Sequence, residues 1–193
     1  MNDNFRGPDT DKLLRDFSAG DHDAFQTIYQ TYMRGMVQYG YKICPDIEVV
    51  KDCIQDLFVE LWESREKVAT IRDLRRYLFK SLRNKLFFSF REQMKKQLLE
   101  PMEEREDSME AILIEDETKA FRLAQLEAAL EKLPKRQQEA LHLRYKLRLS
   151  NESIAEIMGL NYHSAYKLIY SGLKNLRLLV PYCSIWWLTN HYI

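Results

Sequence analysis

Tyr162, Ser164, Tyr166, Lys167, Tyr170 and Ser171 fall at spacings that line polar, aromatic and basic groups along one side of a helix. Such groups hydrogen-bond, stack and neutralise phosphate, which is the chemistry of nucleic-acid recognition. A second set, Arg75, Arg76, Lys80, Arg83 and Asn84, is interleaved with Phe79, Phe87 and Phe88. Opened DNA needs that mixture, because phosphates attract cations while unstacked bases want a flat apolar surface. In a third set, Asp52, Gln55, Asp56, Glu60 and Glu63 form an acidic line three or four positions apart beside Trp62, as on an interface helix. Bond-making chemistry has no comparable support: His22, His142, His163 and His191 are scattered. The chain also lacks an H-E-x-x-H pair, a Gly-rich phosphate loop and a nucleophile elbow. Binding without catalysis, cofactor or metal is the expectation.

The elements that must carry these groups read as helices almost throughout. Six glycines and five prolines are few, strand-like alternation is scarce, and apolar residues recur every three or four positions. The class predicted is all-α. Apolar stripes predict a helix over residues 21–41 (Phe25, Ile28, Tyr32, Met36) and, after the Cys44-Pro45-Asp46 break, another over 47–63 (Val50, Cys53, Ile54, Leu57, Phe58, Leu61). A third, over 73–91, turns Leu74, Tyr77, Leu78, Ser81, Leu82, Leu86 and Phe90 inward and leaves Phe79 outward with the cations. Near the end, Ala155, Gly159 and Leu160 have the spacing of two tightly crossing helices joined by a sharp turn, a helix-turn-helix. Ser150 and Asn161 are the N-caps expected for the two helices. Ala165, Leu168, Ile169, Gly172, Leu173 and Leu176 form the inner stripe of the second.

The formal net charge is zero, from 29 basic and 29 acidic side chains, but the signs are segregated. Residues 65–96 carry about +8, residues 97–117 about −8 and residues 132–177 about +6. Phosphate contact needs local positive charge, so the pattern suits two nucleic-acid-contacting modules joined by an acidic connector. Cys44, Cys53 and Cys183 are odd in number and contain no C-x-x-C pair, which argues against a disulfide framework or zinc site and for a reducing compartment. With no N-terminal apolar run and an interrupted apolar stretch at 173–188, neither export nor membrane insertion is expected. A cytoplasmic location follows. The apolar tail 181–193 is expected to fold back on the second domain.

Asp52-Cys-Ile-Gln-Asp-Leu-Phe-Val-Glu-Leu-Trp62, then Leu74-Arg-Arg-Tyr-Leu-Phe-Lys-Ser-Leu-Arg-Asn84, an acidic linker, and Leu133-Pro134 before the helix-turn-helix together resemble an extracytoplasmic-function sigma factor. The resemblance implies region 2 over residues 10–95, an acidic linker over 96–119 and region 4 over 120–180. It also implies promoter recognition on behalf of bacterial RNA polymerase core, with the β′ and β subunits and promoter DNA as partners and an anti-sigma factor as regulator. Asp52, Gln55, Asp56, Leu61 and Trp62 are similar to the surface that grips the polymerase β′ coiled coil. Arg72, Arg75, Arg76, Lys80, Arg83 and Asn84 match the part that melts and reads the minus-ten element. Ser164, Tyr166, Lys167, Tyr170 and Ser171 occupy the minus-thirty-five reading positions, with Arg144, Lys146 and Arg148 as phosphate anchors. Tyr166, Leu168, Ser171 and Phe88 depart from the family's usual Glu, His, Arg or Lys, and Asp. The rival reading is a stand-alone helix-turn-helix regulator with an N-terminal dimerisation or sensor domain, which would bind duplex DNA without polymerase.

Overall fold

The computed structural model describes residues 8–68, 70–97 and 125–179, all-helical among the described residues. The acidic connector and the apolar tail lie outside them. Two compact units divide the chain, one built on residues up to 102 and the other on residues from 103 onward, apart from Ala155–Leu160, which group with the first.

The first unit contains α1 (Pro8–Ser18), α2 (His22–Ile43), α3 (Ile47–Glu63), the single turn α4 (Arg65–Val68) and α5 (Leu74–Gln97). Carboxylates start the long helices. Asp21 accepts from the N–H groups of Asp23 and Ala24 at 2.8 and 3.3 Å, and Asp46 from those of Glu48 and Val49 at 3.1 and 3.4 Å. Asp73 accepts from the Arg76 N–H at 2.9 Å at the head of α5. Each bond satisfies a backbone donor that the first turn leaves unpaired. The apolar stripes then meet: Ile28, Met36 and Tyr39 of α2, Val50, Ile54 and Leu61 of α3, and Leu78, Leu82 and Leu86 of α5 are all essentially inaccessible to water. Where α2 and α3 approach most closely, a Cβ on Gly40 would collide with Cγ1 of Val50, so only glycine lets these backbones approach as they do.

The periodicity misassigned three rings of α5, and Phe90, expected inside, is 53% exposed. Phe79 is buried and packs edge-on against Tyr39 at 5.5 Å, whereas Tyr77, expected inside, is exposed. Both residues border the Leu78–Leu82 stripe, and the hole left beside Tyr39 selects Phe79 as the one that turns inward.

The second unit contains α6 (125–131), α7 (Lys135–Leu141), a π-helical turn (His142–Lys146), α8 (Asn151–Met158) and α9 (Tyr162–Leu179). Gln138 donates its amide to the carbonyls of Glu131 and Leu133 at 3.0 and 2.7 Å, closing the end of α6. α8 ends where Gly159 takes φ +64°, the Leu160 N–H reaching back to the Ala155 carbonyl at 2.8 Å. That six-to-one bond is a Schellman ending, which glycine enters with little penalty. The two caps stand as expected: Ser150 Oγ accepts from the Ser153 N–H at 3.2 Å, and Asn161 Oδ1 from the Ser164 N–H at 2.8 Å. Leu143, Leu149, Ile154 and Ala165 fill the centre of the unit. Gly172 lets α9 lie against Leu141 of α7.

Candidate nucleic-acid interfaces

On α3, Asp52, Gln55, Asp56, Glu60 and Glu63 are all exposed, so the acidic line is a surface ridge. Leu61, placed by the sequence both in the apolar stripe and in the polymerase-facing set, is 1% exposed and lies in the stripe beneath the ridge. Trp62 sits half-buried at the ridge end and is held from several sides. Its ring meets Phe17 and Phe25 edge-on at 5.8 and 5.2 Å, stacks on His22 at 4.8 Å and lies under the Arg65 guanidinium at 5.1 Å. A ring fixed in this way keeps one edge available with little rotamer entropy left to lose on association. The supporting His22 and Arg65 had no signal in the sequence, because they reach Trp62 from other helices.

α5 presents Lys80 and Asn84 to solvent, with Arg72 exposed in the loop before it, while Arg75, Arg76 and Arg83 are partly covered. The Arg83 guanidinium lies 4.5 Å above the Phe87 ring. Phe88 and Phe90 are 67% and 53% exposed, so the cation–aromatic face expected of this helix runs from Lys80 through Phe90 without Phe79. Burial pushes the Tyr32 phenol above its usual range, opposed by the nearby Arg75 guanidinium, which places that cation beside α2. Lys85 donates to Glu60 at 2.6 Å, pinning α5 to α3. Burial also raises the Cys44 and Cys53 thiols, the opposite of what a cysteine nucleophile needs.

On α9 the outer face carries Tyr162, His163, Tyr166, Lys167, Tyr170 and Lys174, all exposed. The Tyr166 and Tyr170 rings are nearly parallel, 6.4 Å apart. Ser171 is half-buried: its Oγ accepts from Gln137 Nε2 at 3.3 Å and donates to the Leu168 carbonyl at 3.0 Å, which ties it to the seam with α7. Asn175 joins the same seam, donating to Gln137 Oε1 at 3.0 Å. Ser164 is half-buried next to the cap. Arg144, Lys146 and Arg148 are exposed around the turn before α8. Arg144 donates one nitrogen to the Leu149 carbonyl at 2.8 Å and so braces that turn, and Arg148 adopts the left-handed φ of 49°.

A helix-turn-helix unit and a separate helical unit with an acidic and a basic–aromatic face define a DNA-directed protein of two modules. The sigma-70 region 2 model matches residues 28–96 and the sigma-70 region 4 model residues 123–176, together more than half of the chain. The chain belongs to the sigma-70 family. It is a sigma factor acting in transcription initiation, with RNA polymerase core and promoter DNA as partners. The region 2 match decides against a stand-alone regulator with a sensor domain.

Solved structures share the fold. CnrH, determined in complex with the cytosolic domain of CnrY, matches at 20% identity with a TM-score of 0.59, over 88% of this chain and 95% of that one. The sigma factor RpoE from Bartonella quintana, determined with the anti-sigma factor NepR, matches at 18% identity with a TM-score of 0.64, over 80% and 95%. No curated protein sequence matches this chain. Among the described residues no helix is long and apolar enough to cross a membrane.

Proposed function

We propose that the work is divided among three helix faces. The α3 ridge, through Asp52, Gln55, Asp56 and the held edge of Trp62, docks the chain on the polymerase β′ subunit. Residues 10–95 form this module, in which the α5 face, with Arg72, Arg75, Arg76, Lys80, Arg83 and Asn84, holds the opened minus-ten strand. In the module at 120–180, α9 enters the minus-thirty-five major groove with Tyr166, Lys167 and Tyr170, while Arg144, Lys146 and Arg148 set register on phosphates. Ser164 and Ser171 support α9 from within. The segregation of acidic and basic–aromatic side chains onto different helices of the first unit carries this reading, since one surface cannot suit both a basic protein partner and DNA phosphates.

Polymerase core supplies the affinity that a neutral chain lacks, because holding two weakly binding modules on one scaffold converts two contacts into one specific event. A cytoplasmic location fits this work, and the two free, buried thiols Cys44 and Cys53 suit a reducing compartment. Regulation by an anti-sigma factor is part of the proposal, supported by the relative solved with NepR.

The test is retention of core polymerase by the full chain carrying Asp52→Lys and Asp56→Lys, two exposed positions whose replacement leaves the core packing intact. At least tenfold weaker retention is expected, with unchanged helicity. Wild-type retention would overturn the assignment of the ridge.

A further inference from the structure

The outward side of α9 is unusual for a DNA-reading helix in what it offers to base edges. Tyr162, Tyr166 and Tyr170 follow one another every four residues, forming a single row of exposed rings 52%, 49% and 62% accessible. The residues best suited to bidentate base contacts are elsewhere. Asn175 is bound to Gln137, Ser171 is turned into the α7 seam, and Asn161 is spent as the cap. Arg177 lies fifteen positions after Tyr162, about 22 Å further along the axis, whereas base edges are met by the first turns of a recognition helix. Guanine is read chiefly by Arg or Lys at O6 and N7, adenine by Asn or Gln, and thymine by apolar contact with its 5-methyl group.

Building on the assignment of α9 to the upstream duplex, we propose that the Tyr166–Tyr170 pair reads thymine methyl groups, so that the upstream element this chain selects is marked by thymines. The two near-parallel rings, their centroids 6.4 Å apart, stand side by side on the exposed side of α9. Ring faces pack on methyls in the groove floor, and the hydroxyls reach phosphate oxygens at its wall. Lys167 and Lys174, seven positions apart and so on one flank of the tyrosine row, supply charge to one backbone.

The test uses polymerase core reconstituted with the full chain and a promoter library randomised only in the upstream duplex, transcribed and sequenced. Thymine enrichment at two or more positions is expected. Replacing those thymines by deoxyuridine deletes the methyl groups and nothing else, and should lower promoter occupancy about fourfold per methyl, the worth of one buried methyl group. Tyr166→Ala with Tyr170→Ala should erase the difference between thymine and deoxyuridine, and the Tyr→Phe pair should keep it. Enrichment of guanine that depends on Lys167, or equal occupancy with thymine and deoxyuridine, would overturn the proposal while leaving α9 as the upstream reader. Transcription indifferent to every upstream position would instead remove α9 from the duplex altogether, and the underlying assignment with it.

Discussion

Helices α5 and α9 both set aromatic rings among cations, yet they do so in different proportions. α5 and its leading loop carry five cations from Arg72 to Arg83, and beyond Tyr77 its exposed rings are phenylalanines, one of them covered by a guanidinium. α9 carries tyrosines, with two lysines along the same exposed face. A melted strand exposes both faces of its bases and a flexible backbone, so many cations and purely apolar rings suit it. A duplex groove presents edges, methyls and fixed phosphates, so rings with a polar tip suit it better. The contrast teaches that aromatic content alone does not tell an opened-strand surface from a duplex surface; the ring's substituent and the cation density do.

The largest expected effect tests whether the two helices belong to independent modules. Leu82, fully buried under α5, should cost about 2–5 kcal/mol when changed to Ala. Denaturant unfolding followed in each unit should show the first unit weakened and the second unchanged; a loss shared equally would break the comparison. Next, Phe88→Ala removes a 67% exposed ring, so stability should hold. Binding of a single-stranded minus-ten oligonucleotide by the holoenzyme should fall by about 1–3 kcal/mol. An equal loss on closed duplex would show that α5 makes no distinction between the two.

For α9, Asn161→Ala deletes the cap bond to Ser164 and should destabilise the second unit by about 1 kcal/mol in thermal unfolding, with the first unit unmoved. The smallest effect is alkaline. Burial raises the folded-state pKa of Cys44 and Cys53 in the first unit and of Tyr145 in the second. A raised folded-state pKa contributes stability that is present below the unfolded value and lost as pH climbs through the folded one. From the ordinary thiol value of 9.0 and phenol value of 10.0, the first unit should begin to weaken about one pH unit before the second. Cys44→Ser with Cys53→Ser should close that interval, leaving the buried phenols Tyr32 and Tyr145 to set both onsets, which stability curves between pH 8 and 11 would resolve.

Most of the helical order was legible because it is written locally. The stripe Ile28–Tyr32–Met36, the break at Pro45, the caps Ser150 and Asn161 and the turn at Gly159 all act over a few residues, and each stands as the spacing predicted. The exposed acidic line on α3 and the tyrosines of α9 were legible for the same reason. What the sequence concealed depends on distant partners. Phe79 turns inward because Tyr39 of another helix leaves room for it, and Ser171 leaves the groove side because Gln137, thirty-four positions earlier, takes its oxygen. No local pattern encodes those choices.

The clash that reserves position 40 for glycine has a hereditary consequence. Any larger residue there is excluded by one methyl group of Val50, so the two codons constrain each other. Selection for a functional gene should purge alanine at position 40 alone, yet accept it when Val50 has first become alanine. Which substitution arrives first would decide whether a lineage can ever leave glycine.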